Sequence, residues 1–354
     1  METMGERLRV ARRSAGLSLR ELARRVGVSA QAISKYERGL DVPSTGVLVR
    51  LAAALDTSAE YFLRPRPLIR LRRAHPRCAR LHRKQERAIL SRIQEWLERY
   101  TEVESLLHLE KRFELPATLN RQVTSLEDVE RVALDLRGLW ALGFDAVHNL
   151  VEVLEDQGIR VGLVDACDEF DACTFWADDG TPVIAVNKQR PGDRQRFSMA
   201  HELGHLILEP VRDLDPEKAA QRFAGAFLIP EPTVRRELGQ VRRTLSPYEL
   251  HMLKHKYGAS IQAWIGRARD LRILSQSGLR ALHRQFSRIG WRRQEPGDQI
   301  APEEPRRLAR LVMRAVADDL VSPTRASELL GEPLGAFLRR EARLHGLFLE
   351  SVHQ

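Results

Sequence analysis

The sequence predicts a multidomain, mainly α-helical protein. Closely spaced apolar helices separated by glycine turns predict an N-terminal five-helix domain over residues 4–63. Strand-like segments among helical ones predict an α+β domain with a small sheet over residues 128–270. Between them, residues 64–127 are predicted to form a basic linker and a long amphipathic helix, and residues 271–354 a helical C-terminal region. A chain of 354 residues is long enough for several hydrophobic cores.

The composition is typical of an intracellular protein. The chain is 43% hydrophobic and 30% charged, and it has no apolar run near the roughly eighteen residues that span a bilayer. Because the N-terminus also lacks a signal-peptide core, we expect a cytoplasmic protein with no membrane partner. The net charge of +9 favours a polyanionic partner. Cys78, Cys167 and Cys173 form no Cys-x-x-Cys pair, and we interpret them as ordinary thiols.

The N-terminal helices contain a helix-turn-helix pattern. Gly16 ends the first helix, Ser18 caps the second, and Gly27-Val28-Ser29 makes a sharp turn into the third. Two further helices, starting near Ser44 and Ser58, cover the first three. This stretch resembles the Cro/C1-type (XRE) DNA-binding domain. A protein-docking helical bundle is the alternative interpretation.

The resemblance implies that the third helix enters the major groove of an operator in double-stranded DNA. Gln31 then lies where it can pair with adenine. The residues implied to contact DNA are Arg20, Ala30, Gln31, Ser34, Lys35 and Arg38, of which the three basic ones face phosphates. Such domains usually read palindromes as dimers, so we expect a homodimer.

Residues 64–99 are strongly basic, with twelve Lys or Arg side chains. The prolines of Arg64-Pro65-Arg66-Pro67 predict an extended linker. A helical period from Ile89 to about Leu109 predicts one long amphipathic helix. The basic side chains either contact the DNA backbone or form a solvated helix face.

Three segments of the central domain have strand character. They are Gly158 to Val164, Asp171 to Trp176 and Pro182 to Asn187. The last of them precedes the helix described next. Val183 to Val186 is therefore either a platform to which an extended substrate adds as another strand or a plain structural strand.

A short apolar helix, Ser198 to Leu208, carries the pattern His-Glu-x-x-His. His201 and His205 stand four residues apart, so both project from one helix face toward a single metal ion. Glu202 lies beside them, where a carboxylate can take a proton from metal-activated water. The pattern predicts a zinc hydrolase. The alternative is a helix whose histidines make only ordinary hydrogen bonds.

A third zinc ligand is expected on the following helix. Asp215-Pro216-Glu217 is typical of a helix start, with an N-cap and a proline at the first helical position. Glu217 would then face the first helix. Glu209, Asp213 and Asp215 are rival ligands. Glu217 is favoured because it is helical and precedes an inward apolar stripe.

The segment from about Asp128 to Ala268 resembles the ImmA/IrrE family of metallopeptidases. The runs that carry the resemblance are Asp193 to His205, Glu217 to Ala224 and Leu228-Ile229-Pro230. It implies that His201, His205 and Glu217 bind Zn²⁺ and that Glu202 is the catalytic base.

The region after Pro230 is predicted to be helical. Pro247 to Tyr257 and Ser260 to Leu271 form a second helix-turn-helix-like pair. Their apolar residues favour a core role over a second DNA reader. Further helices are expected from Glu304 to Leu320 and from Ser322 onward, without any cluster of ligand residues.

We therefore expect a DNA-binding transcriptional regulator with a zinc-dependent endopeptidase domain. By resemblance, its protein substrate is a helix-turn-helix repressor or the chain itself. The alternatives are a non-proteolytic transcription factor or antitoxin-like regulator with a structural zinc site, and a zinc hydrolase acting on something other than peptides. Glu202 favours an enzyme, because a structural site has no use for a base beside its ligands.

Overall fold

The computed structural model describes residues 2–55, 57, 59–63, 69–74, 83–211, 213–288, 290–291, 295 and 297–352. The expected linker Arg64-Pro65-Arg66-Pro67 lies outside these ranges, as does Cys78. Cys167 is a free thiol, but Cys173 belongs to a disulfide, so the expectation of three ordinary thiols is wrong for Cys173. Within the described ranges, no helix has the length and apolarity needed to cross a membrane.

The N-terminal domain has the expected five helices. They are α1 (Glu2–Ser14), α2 (Leu19–Val26), α3 (Ala30–Glu37), α4 (Thr45–Ala54) and α5 (Ala59–Leu63). Ser18 and Glu21 form a capping box at the start of α2, and Gly27 ends that helix in the left-handed region at φ 72°. Ser29 then caps α3. These local signals set the turn, and buried Leu22, Ile33 and Leu51 join the helices in one core.

The long amphipathic helix is present as α6 (Arg83–Leu107), and short β1 (Leu71–Arg73) precedes it. Successive parts of α6 contact different regions. Its Glu98 forms an ion pair with buried Arg7 of α1. Ile93 and Leu97 pack under the sheet, and Tyr100 packs on the C-terminal helices.

The central domain surrounds a four-stranded sheet with strand order β1-β4-β5-β3. Its predicted strands are β3 (Arg160–Val164), β4 (Ala172–Ala177) and β5 (Pro182–Asn187); a small parallel pair, β2 (Gln122–Val123) and β6 (Glu209–Pro210), lies apart. β5 pairs antiparallel with β4 and parallel with β3. Because both edges of β5 are paired, Val183 to Val186 cannot accept a substrate strand, and that prediction is wrong.

Helices cover both faces of this sheet. The helices of the central domain are, in chain order, α7 (Leu126–Leu139), α8 (Leu150–Asp156), α9 (Gly192–Ile207), α10 (Pro216–Leu228), α11 (Glu231–Leu238), α12 (Pro247–Tyr257) and α13 (Ile261–Asp270). α7 begins with a capping box formed by Ser125 and Asp128. The α9 side of the sheet shares the largest core, whereas α6 packs on the opposite face.

The C-terminal region is helical, as expected. It contains α14 (Gln276–Arg288), α15 (Arg307–Ala317), α16 (Pro323–Leu330) and α17 (Leu334–Val352). Ser322 caps α16 as predicted. Buried Leu282 and Phe286 of α14 belong to the core of the central domain. Buried Val312 of α15 and Leu329 of α16 instead pack with Tyr100 and Val103 of α6.

Candidate metal centre

The motif helix α9 and the following helix α10 bring three potential ligands together. The Nε2 atoms of His201 and His205 are 3.1 Å apart. The carboxylate of Glu217 lies 3.4 Å from His201 Nε2 and 3.7 Å from His205 Nε2. Ligand atoms about 2 Å from a shared tetrahedral ion are about 3.3 Å from each other. Two imidazole nitrogens and one carboxylate at these distances fit a zinc ion.

Close packing of the two helices places Glu217 there. Asp215 caps α10 by accepting a hydrogen bond from the Glu217 amide at 3.0 Å, which fixes Glu217 in the first turn. Gly204 lies between the motif histidines, and a Cβ on it would be 3.1 Å from Ala220 Cα. The glycine therefore permits the close approach that α9 and α10 require.

The rival third ligands are not gathered with the histidines. Among the described residues, the group that could hold a metal is His201, His205 and Glu217. Glu209 instead pairs with Arg121, and Asp215 is used as the helix cap.

Glu202 is buried beside this group, with 8% of its surface exposed. Its Oε2 accepts a hydrogen bond from the Thr174 hydroxyl at 2.7 Å. Burial raises the pKa of Glu202 to about 7, hydrogen bonds from Thr174 oppose the rise, and the charge of Glu217 adds to it. A carboxyl group with a pKa near neutrality can both take and release a proton at physiological pH, as a general base must.

The proposed DNA-contacting residues lie on α2, on α3 and directly after α3. Ile33 and Tyr36 of α3 face the core, and Gln31, Lys35 and Arg38 are exposed. Ala30 and Ser34 are half-buried on the same helix, and Arg20 is exposed near the start of α2. An exposed polar face on the second helix of a helix-turn-helix is the arrangement that enters a major groove.

Comparisons with known families agree with both parts of the chain. A family model described as "Helix-turn-helix" matches residues 8–62, and one described as "IrrE N-terminal-like domain" matches residues 155–268. The chain joins a helix-turn-helix domain to an IrrE N-terminal-like domain. The second of these belongs to the metallopeptidase-type ImmA/IrrE family, as the sequence runs indicated.

Two curated relatives are transcriptional regulators. An uncharacterized HTH-type regulator of Mycobacterium tuberculosis is 48% identical over 56 residues, covering 16% of this chain and 40% of the relative. An uncharacterized regulator in the ATPase CF(0) region of Rhodospirillum rubrum is 44% identical over 59 residues, covering 17% of this chain and 55% of the relative. The chain thus spans about half or less of the length of these relatives.

A solved structure also matches. The DNA-binding domain of the P22 c2 repressor, determined by nuclear magnetic resonance, is 39% identical and has a TM-score of 0.18. The match covers 18% of this chain and 88% of that domain.

A cleft of the IrrE N-terminal-like domain is lined by residues one helical turn away from the metal ligands. The cavity has a volume of about 890 Å³ and lies between α9, α10 and α13. Its lining includes Phe197, one turn before His201, and Gln221, one turn after Glu217. Gln262 and Gly266 of α13 form the facing wall. Of the second helix-turn-helix-like pair, α13 thus lines this cleft. The apolar residues of the pair are buried in the core, as predicted.

Thr174 is the residue of this site that sequence reasoning missed. It lies fully buried on β4, a strand of otherwise apolar character with the sequence ACTFWA. A lone hydroxyl within a buried strand needs a hydrogen-bond partner, and this was the available signal. The sequence alone does not reveal that the partner is Glu202, because the two residues are brought together only by packing of α9 on the sheet.

Proposed function

We propose that this protein is a transcriptional regulator whose IrrE N-terminal-like domain is a zinc-dependent endopeptidase. The observation that carries the proposal is the grouping of His201, His205 and Glu217 within 4.8 Å of one another, with Glu202 on the same helix turn. Three protein ligands leave a fourth position for substrate or water, which is the arrangement of a catalytic rather than a structural zinc site.

The protein residues would act as follows. His201, His205 and Glu217 would hold Zn²⁺, which when bound supplies a Lewis acid for a peptide carbonyl and lowers the pKa of water. Glu202 accepts the proton of the attacking water and passes it to the departing amine. Thr174 holds the Glu202 carboxylate in place through its 2.7 Å hydrogen bond.

DNA binding by the N-terminal domain is the second part of the proposal. The exposed face of α3, with Gln31 and Lys35, would read the operator, and Arg20 and Arg38 would contact phosphates. We propose a homodimer on a palindromic site. The exposed apolar side chains Leu40 and Val42, at 66% and 55% exposure, are available to a second copy.

The proposed substrate is a repressor that contains a similar helix-turn-helix domain, or this chain itself. Family resemblance supports the first choice. Presence of the DNA-binding domain on the same chain would raise the effective concentration of the peptidase at any repressor bound beside it.

The test combines zinc analysis with cleavage of candidate helix-turn-helix repressors by the purified full chain. Glu202→Gln should retain one zinc per chain and lose cleavage, because it removes a proton acceptor and spares all three ligands. His205→Ala should lose both zinc and cleavage. Glu209→Gln is the matched control, since Glu209 is a nearby carboxylate bound to Arg121, and it should retain both.

Two outcomes would count against the proposal. Cleavage by Glu202→Gln at the wild-type rate would refute the role of the base. Zinc binding without cleavage of any repressor or of the chain itself would instead favour the non-proteolytic regulator with a structural zinc site.

A further inference from the structure

The outer edge of β4 is occupied by a segment that comes from outside the IrrE N-terminal-like domain. β1 pairs antiparallel with β4, with Leu71 opposite Ala177 and Arg73 opposite Phe175. The Ala74 amide continues this ladder by donating to the Thr174 carbonyl at 3.0 Å. The strand therefore follows the whole edge from Ala177 down to Thr174.

This edge leads directly to the candidate base. The Thr174 carbonyl accepts from Ala74, and the hydroxyl of the same residue donates to Glu202 at 2.7 Å. The backbone at Ala74 is thus separated from the Glu202 carboxylate by one residue of β4. An extended chain on this edge is therefore linked through Thr174 to Glu202, which lies on the motif helix next to His201.

We propose that the edge of β4 from Thr174 to Ala177 is a binding site for an extended peptide and that residues 71–74 are an internal ligand that keeps it closed. Strand addition recognises the peptide backbone, so an unrelated peptide can form the same hydrogen bonds. The inference rests on the proposed peptidase function, because it identifies where the substrate chain would lie.

The attachment of the internal strand is limited. β1 has three residues, and Arg72 and Arg73 are exposed. Leu71 and Ile69 pack partly against the cluster formed by β4, β5 and α6, and Gln94 of α6 donates to the Ile69 carbonyl at 2.9 Å. A strand this short, with Ile69, Leu71 and Ala74 as its apolar anchors, has few contacts to lose when another strand takes the edge. Because Cys173 of β4 is disulfide-bonded, the measurements below are made on the reduced protein.

The internal strand is also connected to the DNA-binding domain. Arg70, the residue before β1, pairs with Glu6 of α1 at 3.4 Å. Arg73 at the other end pairs with Glu86 of α6. A shift of the helix-turn-helix domain relative to α6 would therefore act on the Arg70 end of the strand, while the Arg73 end stays paired with α6.

The test measures peptide binding by the zinc-loaded full chain in a Glu202→Gln background, so that cleavage plays no part. The probe is a fluorescent peptide with the sequence of residues 69–74. While residues 71–74 occupy the edge, the probe binds only the small fraction of molecules in which the edge is free, so its apparent affinity is reduced. Leu71→Asp and Ala74→Pro weaken the internal strand, and each variant should therefore bind the probe about tenfold or more tightly than the parent protein. Leu63→Asp is the matched control, because Leu63 is 62% exposed and lies outside the strand.

A second probe identifies the binding mode. The same peptide, N-methylated at its alanine, lacks the N–H that corresponds to the Ala74 amide. The Leu71→Asp and Ala74→Pro variants should therefore bind this second probe no more tightly than the parent protein does. Equal binding of both probes would overturn the proposal, as would Leu71→Asp and Ala74→Pro variants that bind no better than Leu63→Asp.

Hydrogen exchange on the unsubstituted strand covers the case in which both variants fail to fold. Excess probe should displace residues 71–74 and speed exchange of the Ala74 amide; unchanged exchange at saturating probe would also overturn the proposal. Because none of these measurements needs cleavage, a protein that binds the probe in this way and cuts nothing would refute the peptidase function and leave the peptide site standing.

Discussion

At the residue scale, burial sets the properties of two carboxyl groups with separate roles. Glu202 lies next to His201 on the motif helix, whereas Glu155 lies at the junction of α8 with α6 and is 1% exposed. Tyr100 donates a hydrogen bond to Glu155 at 3.1 Å. Burial raises the pKa of Glu155 to about 7, and Arg307 and Arg160 only partly offset that rise.

The raised pKa of Glu155 predicts a pH-dependent stability. Below its ordinary pKa near 4.5, both folded and unfolded chains carry the proton; between 4.5 and about 7, the folded chain binds more protons than the unfolded one. The free energy of unfolding should therefore fall as pH rises through this window, by about 3 kcal/mol at most from this group. Glu155→Gln should remove the contribution of this group to the fall in the free energy of unfolding with rising pH.

Thermal unfolding at pH 5 and pH 8 checks this prediction. The control is Glu152→Gln, which changes an exposed carboxyl on the same helix and should leave the pH dependence as it is in the parent. Equal pH dependence of Glu155→Gln and the parent would contradict a buried, proton-binding Glu155.

How far residue patterns predict the site depends on whether the partners share a helix. The spacing of His201, Glu202 and His205 is fixed by helical geometry, so it is visible in the sequence. Glu217 is predicted from the helix start that Asp215 and Pro216 form. Thr174 is different, because its contact with Glu202 depends on how a strand packs on a helix.

At the element scale, helix caps proved more informative than strand patterns. Ser18 and Ser322 each cap a helix where predicted, because a cap is a contact between neighbours in sequence. Ser29, predicted as part of the turn, caps α3. β1 was not predicted, because Leu71 to Arg73 has the composition of a basic linker and becomes a strand only by pairing with β4. The apolar run of β5 likewise does not reveal that both edges of this strand are paired.

The recognition helix α3 gives a prediction at the same scale. Gln31→Ala should weaken discrimination at one operator position by about 1 to 3 kcal/mol, because an amide that pairs with adenine is lost. Arg38→Ala should weaken binding to all sequences alike and reduce the salt dependence of binding, since a phosphate contact carries no sequence information.

Titrations over a set of singly mutated operators at two salt concentrations distinguish these effects. Arg284→Ala, which removes an exposed positive charge from α14, controls for net charge. Discrimination that Gln31→Ala leaves unchanged at every position would refute the assignment of Gln31.

At the scale of the whole molecule, α6 is the element that three regions share. Glu98 pairs with Arg7 of the helix-turn-helix domain, and both side chains are buried. Glu104 pairs with Arg160 of β3 and with Arg307 at the start of α15. Along one helix, successive carboxylates contact the DNA-binding domain, the sheet and the C-terminal region.

The buried ion pair between Arg7 and Glu98 predicts that an electrostatic interaction attaches the helix-turn-helix domain to α6. Arg7→Ala should destabilise the chain by about 3 to 5 kcal/mol, because a buried carboxylate loses its arginine. Arg7→Met combined with Glu98→Leu should recover much of this loss, since neither charge then remains buried.

Thermal unfolding of the two variants, with Arg9→Ala as the control, checks this prediction. Arg9 lies on the same helix, and its side chain is 44% exposed. A double variant no more stable than Arg7→Ala would show that packing of the arginine side chain, rather than its charge, holds the domain.

The position of Arg7 has a consequence for domain exchange. Its guanidinium lies 5.2 Å from the centre of the Tyr61 ring and within 2.6 Å of Glu98, so α1, α5 and α6 meet at one side chain. A helix-turn-helix domain transplanted from another regulator could retain its operator specificity on α3 and still fail to join this chain. A functional chimaera would need an arginine on the first helix and an aromatic residue on the fifth, which limits the DNA-binding domains that recombination can place in front of this peptidase-family domain.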